Sequence, residues 1–386
     1  MLASTGEGAA REGPSFFRPG RRSPAAAVER NRGGARRRRQ SKGIEMKAMI
    51  LKAPKPIEEK PLEHSHVPVP EPGPGQVLVR VSMCGLCHTD LHTIEGDLEL
   101  PRLPLIPGHQ IVGTVVKRGA GVESPGVGER VGAAWLYETC GECRFCARGL
   151  ENLCENARFT GYHADGGYAE YAVLPADFVY ELPGGFGDRE AAPLLCAGII
   201  GYRALRLSGI EPGGVLGLYG FGASAHVAIQ VALYWGCEVL VFSRTEAHRR
   251  QAERLGASWT GTSTQTPPKR PNASVVFAPA GSIVPAALSV LEKGGTVALA
   301  GITMTEIPPL DYELHLYHEK TLRSVTASTR EDGRELIRLA AEIPIRTETT
   351  LFRLEEANEA LWLIKESRIS GAGVLEISRD GSWENG

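Results

Sequence analysis

"GGVLGLYGFGASAHVAIQVALYWGCEVLVFSR", residues 213–244, is the stretch that decides the fold. It reads as an apolar strand, a glycine-rich turn, a helix and a second apolar strand. The turn, Gly220-Phe221-Gly222-Ala223-Ser224-Ala225, has the form GxGxxA. Gly220 permits a tight turn, Gly222 lets backbone approach a pyrophosphate, and Ala225 lets the helix pack closely on the strand. The helix N-terminus then offers N–H donors to an anion. An ordinary tight turn is the alternative, but the strand–turn–helix–strand context predicts a dinucleotide site. Where a carboxylate at the end of the second strand would bond the adenosine ribose of NAD, the chain has Ser243 and then Arg244. A missing carboxylate beside an arginine favours the 2′-phosphate of NADP over NAD; Arg244 stacked on adenine as a solvated cation is the competing reading.

The alternation continues downstream through "ASVVFAP", "AALSVLEKGGTVALAG" and "TLRSVTAST". We therefore expect a doubly wound parallel sheet of the Rossmann type over residues 201–330. Upstream the rhythm differs. "QVLVRVSMCG", "IVGTVVKRGAGV" and "GYAEYAVLP" are short period-two runs broken by Pro and Gly, which predict a β-rich, barrel-type domain over residues 46–200. The fold class is thus α/β plus β.

The whole chain has 386 residues, 42% hydrophobic and 23% charged, which suits a two-domain globular enzyme. No apolar run is long enough for a membrane span, and no apolar leader precedes the fold, so we expect a cytoplasmic protein whose thiols stay reduced. Residues 1–45 stand apart: ten Arg and one Lys face four Glu, a local charge of +7 that leaves the remainder near −9. That segment reads as a disordered basic extension. A transit peptide, a nucleic-acid-binding tail and translation from a misassigned start all remain open for it. The acidic body would repel a polyanion, which argues against a zinc-stabilised nucleic-acid-binding or regulatory protein.

Half of the eight cysteines fall in "TCGECRFCARGLENLC", residues 139–154. The spacing of Cys140, Cys143, Cys146 and Cys154 lets one loop wrap four thiolates around Zn²⁺, a closed and therefore structural site. Iron–sulfur ligation and a disulfide-bonded lobe are the alternatives. In so polar a segment, bound metal replaces a core. Cys84 and Cys237 read as small buried hydrophobes.

Cys87 begins "CHTDLHTIEGD", followed by "PLIPGHQIVG" and later by "PLLCAGIIGYRAL". With the four-cysteine lobe and the nucleotide fold behind them, these motifs resemble the zinc-dependent medium-chain alcohol dehydrogenases from Met46 to about Ile377. The resemblance implies a GroES-like catalytic domain with its zinc lobe at 139–155, the Rossmann domain at 201–330, and a return to the catalytic domain at 331–386. It implies two Zn²⁺ per chain: a catalytic one held by Cys87, His109 and Cys196, and the structural one. It also implies that Thr89 takes the alcohol proton, His92 passes it to solvent, Asp90 fixes the ring of His109 and His88 meets the cofactor pyrophosphate. Trp135 and Ile94 fall at substrate-pocket positions. The implied activity is reversible oxidation of a primary alcohol to an aldehyde with NAD(P), in a homodimer or homotetramer, with no nucleic-acid or membrane partner. A zinc-free enone or quinone reductase, or an enzyme working mainly as an aldehyde reductase, are the neighbouring readings. Three positions depart from the pattern: Gln110 replaces a Glu, Ile200 replaces a hydroxyl residue, and Ala372 replaces an Arg. For the last, Arg330 is the expected substitute at the pyrophosphate.

Overall fold

A computed structural model describes residues 44–343, 345–369 and 371–378. The basic extension through residue 43 lies outside them, and Glu45 already belongs to the first strand, Glu45–Leu51, which pairs antiparallel with Leu62–Pro68.

The main β unit is a seven-stranded sheet. Its strands run Thr349–Arg353, Ala372–Glu376, Gln76–Leu86, Gln110–Arg118, Arg130–Ala133 and Val179–Glu181 in spatial order, with Tyr171–Pro175 also paired to Gln76–Leu86. In Gln76–Leu86 the β-branched side chains of Val77, Val79 and Val81 recur at period two and are fully buried, which pins the register. Two strands of this sheet come from beyond residue 348, so the chain does re-enter it after building the second unit.

That second unit is a six-stranded sheet in the order Trp259–Gly261, Glu238–Phe242, Val215–Tyr219, Ala273–Val276, Thr296–Leu299 and Thr321–Ser324, with every neighbouring pair parallel. Chain order reverses at Val215–Tyr219, which is the doubly wound arrangement expected of the quoted stretch, with its crevice at the carboxyl ends of the strands. Val239, Leu240 and Val241 are all without exposed surface, because helices cover both faces of a parallel sheet. Each such buried side chain contributes about 1.5–3 kcal/mol.

The helix Ala197–Ser208 and the helix Arg330–Glu342 are joined by charge. Asp332 accepts from Arg203 at 2.6 Å and from Arg206 at 2.8 Å, and it closes a capping box with Thr329 at its own helix start. Asp332 is 1% exposed.

Candidate active site

Register brings the distant ligands together. In the antiparallel pair Gln76–Leu86 and Gln110–Arg118, Cys84 faces Ile111 and Gly85 faces Gln110. Cys87 follows the first strand and His109 precedes the second, so both emerge at the same end of the sheet. Gly108 aims His109: its φ is +96°, and a Cβ there would lie 2.3 Å from the ring of Tyr168, so only glycine fits. Cys196 arrives from the other side, as the residue before the helix Ala197–Ser208. It is held there by Leu195, whose side chain packs over Gly132 of the neighbouring strand.

Cys87 Sγ lies 3.6 Å from His109 Nε2 and 3.9 Å from Cys196 Sγ. Zn–S near 2.3 Å and Zn–N near 2.0–2.1 Å in a tetrahedron require S···S of about 3.8 Å and S···N of about 3.6 Å. The three donors therefore already form one face of a zinc tetrahedron. His109 Nδ1 meets Asp90 Oδ1 at 3.0 Å, and Asp90 Oδ2 accepts the Cys87 N–H at 2.9 Å. This bond fixes the imidazole so that Nε2 faces the thiols. Hydrogen bonding with Cys196 pulls the Cys87 thiol well below its ordinary range, and the same contact pushes Cys196 up. Burial opposes charge on His109, but Asp90 and Cys87 outweigh it and lift the imidazole to about 10. Without metal the cluster thus holds protons that an ion must displace.

The second donor group is the loop of the lobe. Cys154–Cys140, Cys143–Cys146 and Cys140–Cys146 are separated by 3.5, 3.6 and 3.9 Å between sulfurs. These are tetrahedral edges, far longer than the roughly 2 Å of a disulfide. The donor atoms of each group all lie within 4.8 Å of one another. The lobe is also fastened outward: Glu151 takes the Arg330 guanidinium in two-pronged fashion at 2.7–3.1 Å, and the Asn152 amide donates to the Thr326 carbonyl at 2.8 Å. Arg330 further donates to the Asp177 carbonyl and lies over Phe178. Arg330, expected at the pyrophosphate, has its guanidinium paired with Glu151.

The helix His88–Glu95 presents Thr89 and His92 one turn apart, on one face. Thr89 is nearly buried, with its N–H on Cys87 Sγ at 3.4 Å, while His88 is exposed. Trp135 meets His109 edge-on, ring centroids 5.2 Å apart, and stacks on Phe159 at 5.0 Å. Ile94, expected at a pocket position, is fully buried in the hydrophobic core.

In the nucleotide unit Gly220 has φ +87°, and a Cβ there would press on the Ala278 backbone at 2.9 Å. Gly222 heads the 12-residue helix Ala223–Tyr234 without any side-chain cap, and a Cβ on it would point into open space. The uncapped helix start and the space over Gly222 are a cradle that fits a pyrophosphate. Ala225 is fully buried, Ser243 nearly so, and Arg244 exposed. Beside them the Arg249 guanidinium donates to the carbonyls of Ser243 and Arg244 at 2.7 and 3.0 Å. The sequence reading did not foresee Arg249, Phe159 or the partner of Arg330. Arg249 could have been found as a cation in the first turn of the helix Glu246–Leu255 that follows the strand; the other two lie too far along the chain from what they touch.

Comparison with known proteins agrees with this geometry. Residues 73–184 match the family model described as the alcohol dehydrogenase GroES-like domain, and residues 225–342 match that of the zinc-binding dehydrogenases. The chain is 47% identical, over 86% of its length and 97% of the relative, to a probable alcohol dehydrogenase, AdhA, of Mycobacterium tuberculosis. It is 36% identical, over 83% of its length and 97% of the relative, to an alcohol dehydrogenase of Geobacillus stearothermophilus. A cobalt- and zinc-bound thermostable alcohol dehydrogenase from Pyrobaculum aerophilum superposes with a TM-score of 0.76 at 26% identity, covering 86% of this chain and all of that one. A GroES-like sheet, a Rossmann sheet and a thiol–imidazole cluster thus sit in one chain, and the chain belongs to the zinc-dependent medium-chain alcohol dehydrogenase family.

Proposed function

We propose that the protein oxidises a primary alcohol to an aldehyde, reversibly, by hydride exchange with a nicotinamide dinucleotide, with NADP preferred. The observation that carries this reading is the convergence of Cys87 Sγ, His109 Nε2 and Cys196 Sγ at zinc-tetrahedron distances. Two thiolates and one imidazole would hold a catalytic Zn²⁺ and leave one coordination position for substrate, while the four-cysteine lobe would hold a second, closed site, giving two ions per chain. When bound, the zinc supplies Lewis-acid polarisation of an alcohol oxygen and the dinucleotide supplies the hydride acceptor.

The chain's own groups do the rest. The Thr89 hydroxyl receives the alcohol proton and hands it on, and His92, with a quarter of its side chain in contact with solvent, releases it. Asp90 keeps the His109 lone pair directed at the metal position. Trp135 and Phe159 form an apolar wall beside His109 against which a substrate's carbon skeleton rests. Gly222 and the helix start behind it receive the pyrophosphate, with His88 on its other side, and Arg244 takes the 2′-phosphate. A homodimer or homotetramer is supported by the exposed apolar side chains Ile302, Tyr312, Leu314 and Tyr317, which fall close together in sequence.

The test is Cys87→Ser, with metal content and turnover measured together. The wild type should carry two zinc equivalents and the variant one, with alcohol oxidation abolished and the fold intact. Undiminished turnover in the variant would defeat the assignment. For the cofactor, steady-state kinetics with NAD and NADP in the wild type and in Ser243→Asp give the answer: a wild type that strongly prefers NAD removes the role given to Arg244.

A further inference from the structure

We infer that Asp97 is a positioning residue for proton release, acting through His92. This rests on the reading of His92 as the last protein group of the proton path. His92 Nδ1 and Asp97 Oδ2 are 2.7 Å apart. An imidazole accepts a proton only on the nitrogen that lacks one, and a carboxylate can only accept a hydrogen bond. Asp97 therefore requires the hydrogen to sit on Nδ1, which leaves the Nε2 lone pair bare. A histidine without that partner can place its hydrogen on either nitrogen, and every molecule with Nε2–H is blocked as an acceptor.

The backbone makes this contact a built one. The helix His88–Glu95 ends at Gly96, whose φ of +87° turns the chain back over the last helical turn. There the Asp97 N–H donates to the His92 carbonyl at 3.0 Å, so the same residue is tied to His92 at main chain and at side chain. A Cβ on Gly96 would lie 2.9 Å from Pro54 Cβ, so the turn is fixed by packing as well as by conformation. In the forward direction Nε2 takes up one proton, the resulting imidazolium is neutralised by the Asp97 carboxylate beside it, and the proton leaves from Nε2 to water. The pair returns to its starting tautomer with no net change. Asp97 touches neither the metal cluster nor the nucleotide cradle; its effect passes through the ring of His92.

The experiment compares Asp97→Ala and His92→Gln with the wild type in the zinc-loaded protein. Nitrogen-15 spectra of histidine-labelled protein report which ring nitrogen carries hydrogen, and His92→Gln identifies the His92 resonances among the ten histidines by their disappearance. The wild type should show Nδ1–H with a bare Nε2, and Asp97→Ala should show a mixture or the reverse. Asp97→Ala should lower kcat for alcohol oxidation several-fold, in proportion to the fraction of His92 whose Nε2 carries hydrogen in the spectra, with KM little changed. Zinc content and thermal midpoint should stay at wild-type values, because Asp97 is a surface residue. If His92→Gln is impaired while Asp97→Ala keeps either the wild-type tautomer or the wild-type rate, the inference is overturned and the relay reading stands. If His92→Gln turns over normally, the relay reading falls and the inference goes with it.

Discussion

Replacing Asp332 by Asn gives the sharpest stability test. The Arg203 side chain is 8% exposed and that of Asp332 1%, and Asp332 is the one carboxylate against the Arg203 guanidinium among the described contacts. Removing the negative charge strands a buried cation, and breaking such a pair from one side costs about 3–5 kcal/mol. Arg206 adds little, since its side chain is 42% exposed and such pairs contribute about 0–1 kcal/mol. Asn still offers an oxygen to the Thr329 cap, so loss of capping does not enter the sum. The assay is urea unfolding followed by tryptophan fluorescence, for Asp332→Asn, Arg203→Met and the double variant. The double variant should be less destabilised than the two singles added together, with a coupling of about 2–3 kcal/mol, because it leaves no unpaired ion. In a thermal scan the single loss corresponds to a midpoint lowered by roughly 4–7 °C at this chain length. A change under about 1 kcal/mol in Asp332→Asn would show that Arg203 finds water or another acceptor, and the reasoning from burial would be wrong.

Three further outcomes are expected. Gly222→Ala should leave the unfolding midpoint within about 0.5 kcal/mol of wild type yet weaken dinucleotide binding tenfold or more in a fluorescence titration, whereas Gly220→Ala, at φ +87° against Ala278, should lose at least about 1–2 kcal/mol of stability. Gly108→Ala should fail to hold the full zinc complement, because the new methyl and the Tyr168 ring cannot share the space that aims His109; normal zinc content by mass spectrometry would contradict this. Glu151→Gln tests the lobe's anchor against pH. Burial pushes the Glu151 carboxyl up, but Arg330 pulls it below the ordinary value. A carboxyl lowered by folding stabilises at neutral pH and loses that contribution as pH falls through its folded value, so wild type should exceed the variant by about 1–2 kcal/mol at pH 7 and converge with it in acid below the ordinary carboxylate range.

The fold was legible where chemistry is local. Gly220, Gly222 and Ala225 lie within six consecutive residues, and the four lobe cysteines share sixteen, so spacing alone carried both. The pairing of Gly373 with Leu86 was not readable, because nothing in either strand names the other across nearly 290 positions. The same limit hid Glu151 from Arg330, 179 residues apart. Ile94 shows a different limit. A position inherited from relatives carries no information about which way this helix turns its apolar side, and the structure buries it. Asp97 left a faint local mark, a Gly-Asp step at a helix end, but only coordinates show the carboxylate folding back onto His92.

The fastening of the lobe has a consequence for how bound metal would be lost. Glu151 grips Arg330, Asp332 two residues later grips Arg203, and Arg203 lies in the helix that begins directly after Cys196. The closed four-cysteine donor set therefore stands at one end of a tether whose other end is Cys196 of the open three-donor set. With zinc in both, a chelator would empty the two positions in sequence rather than independently, and zinc scarcity would first show as a faltering catalyst and only afterwards as an unravelled one.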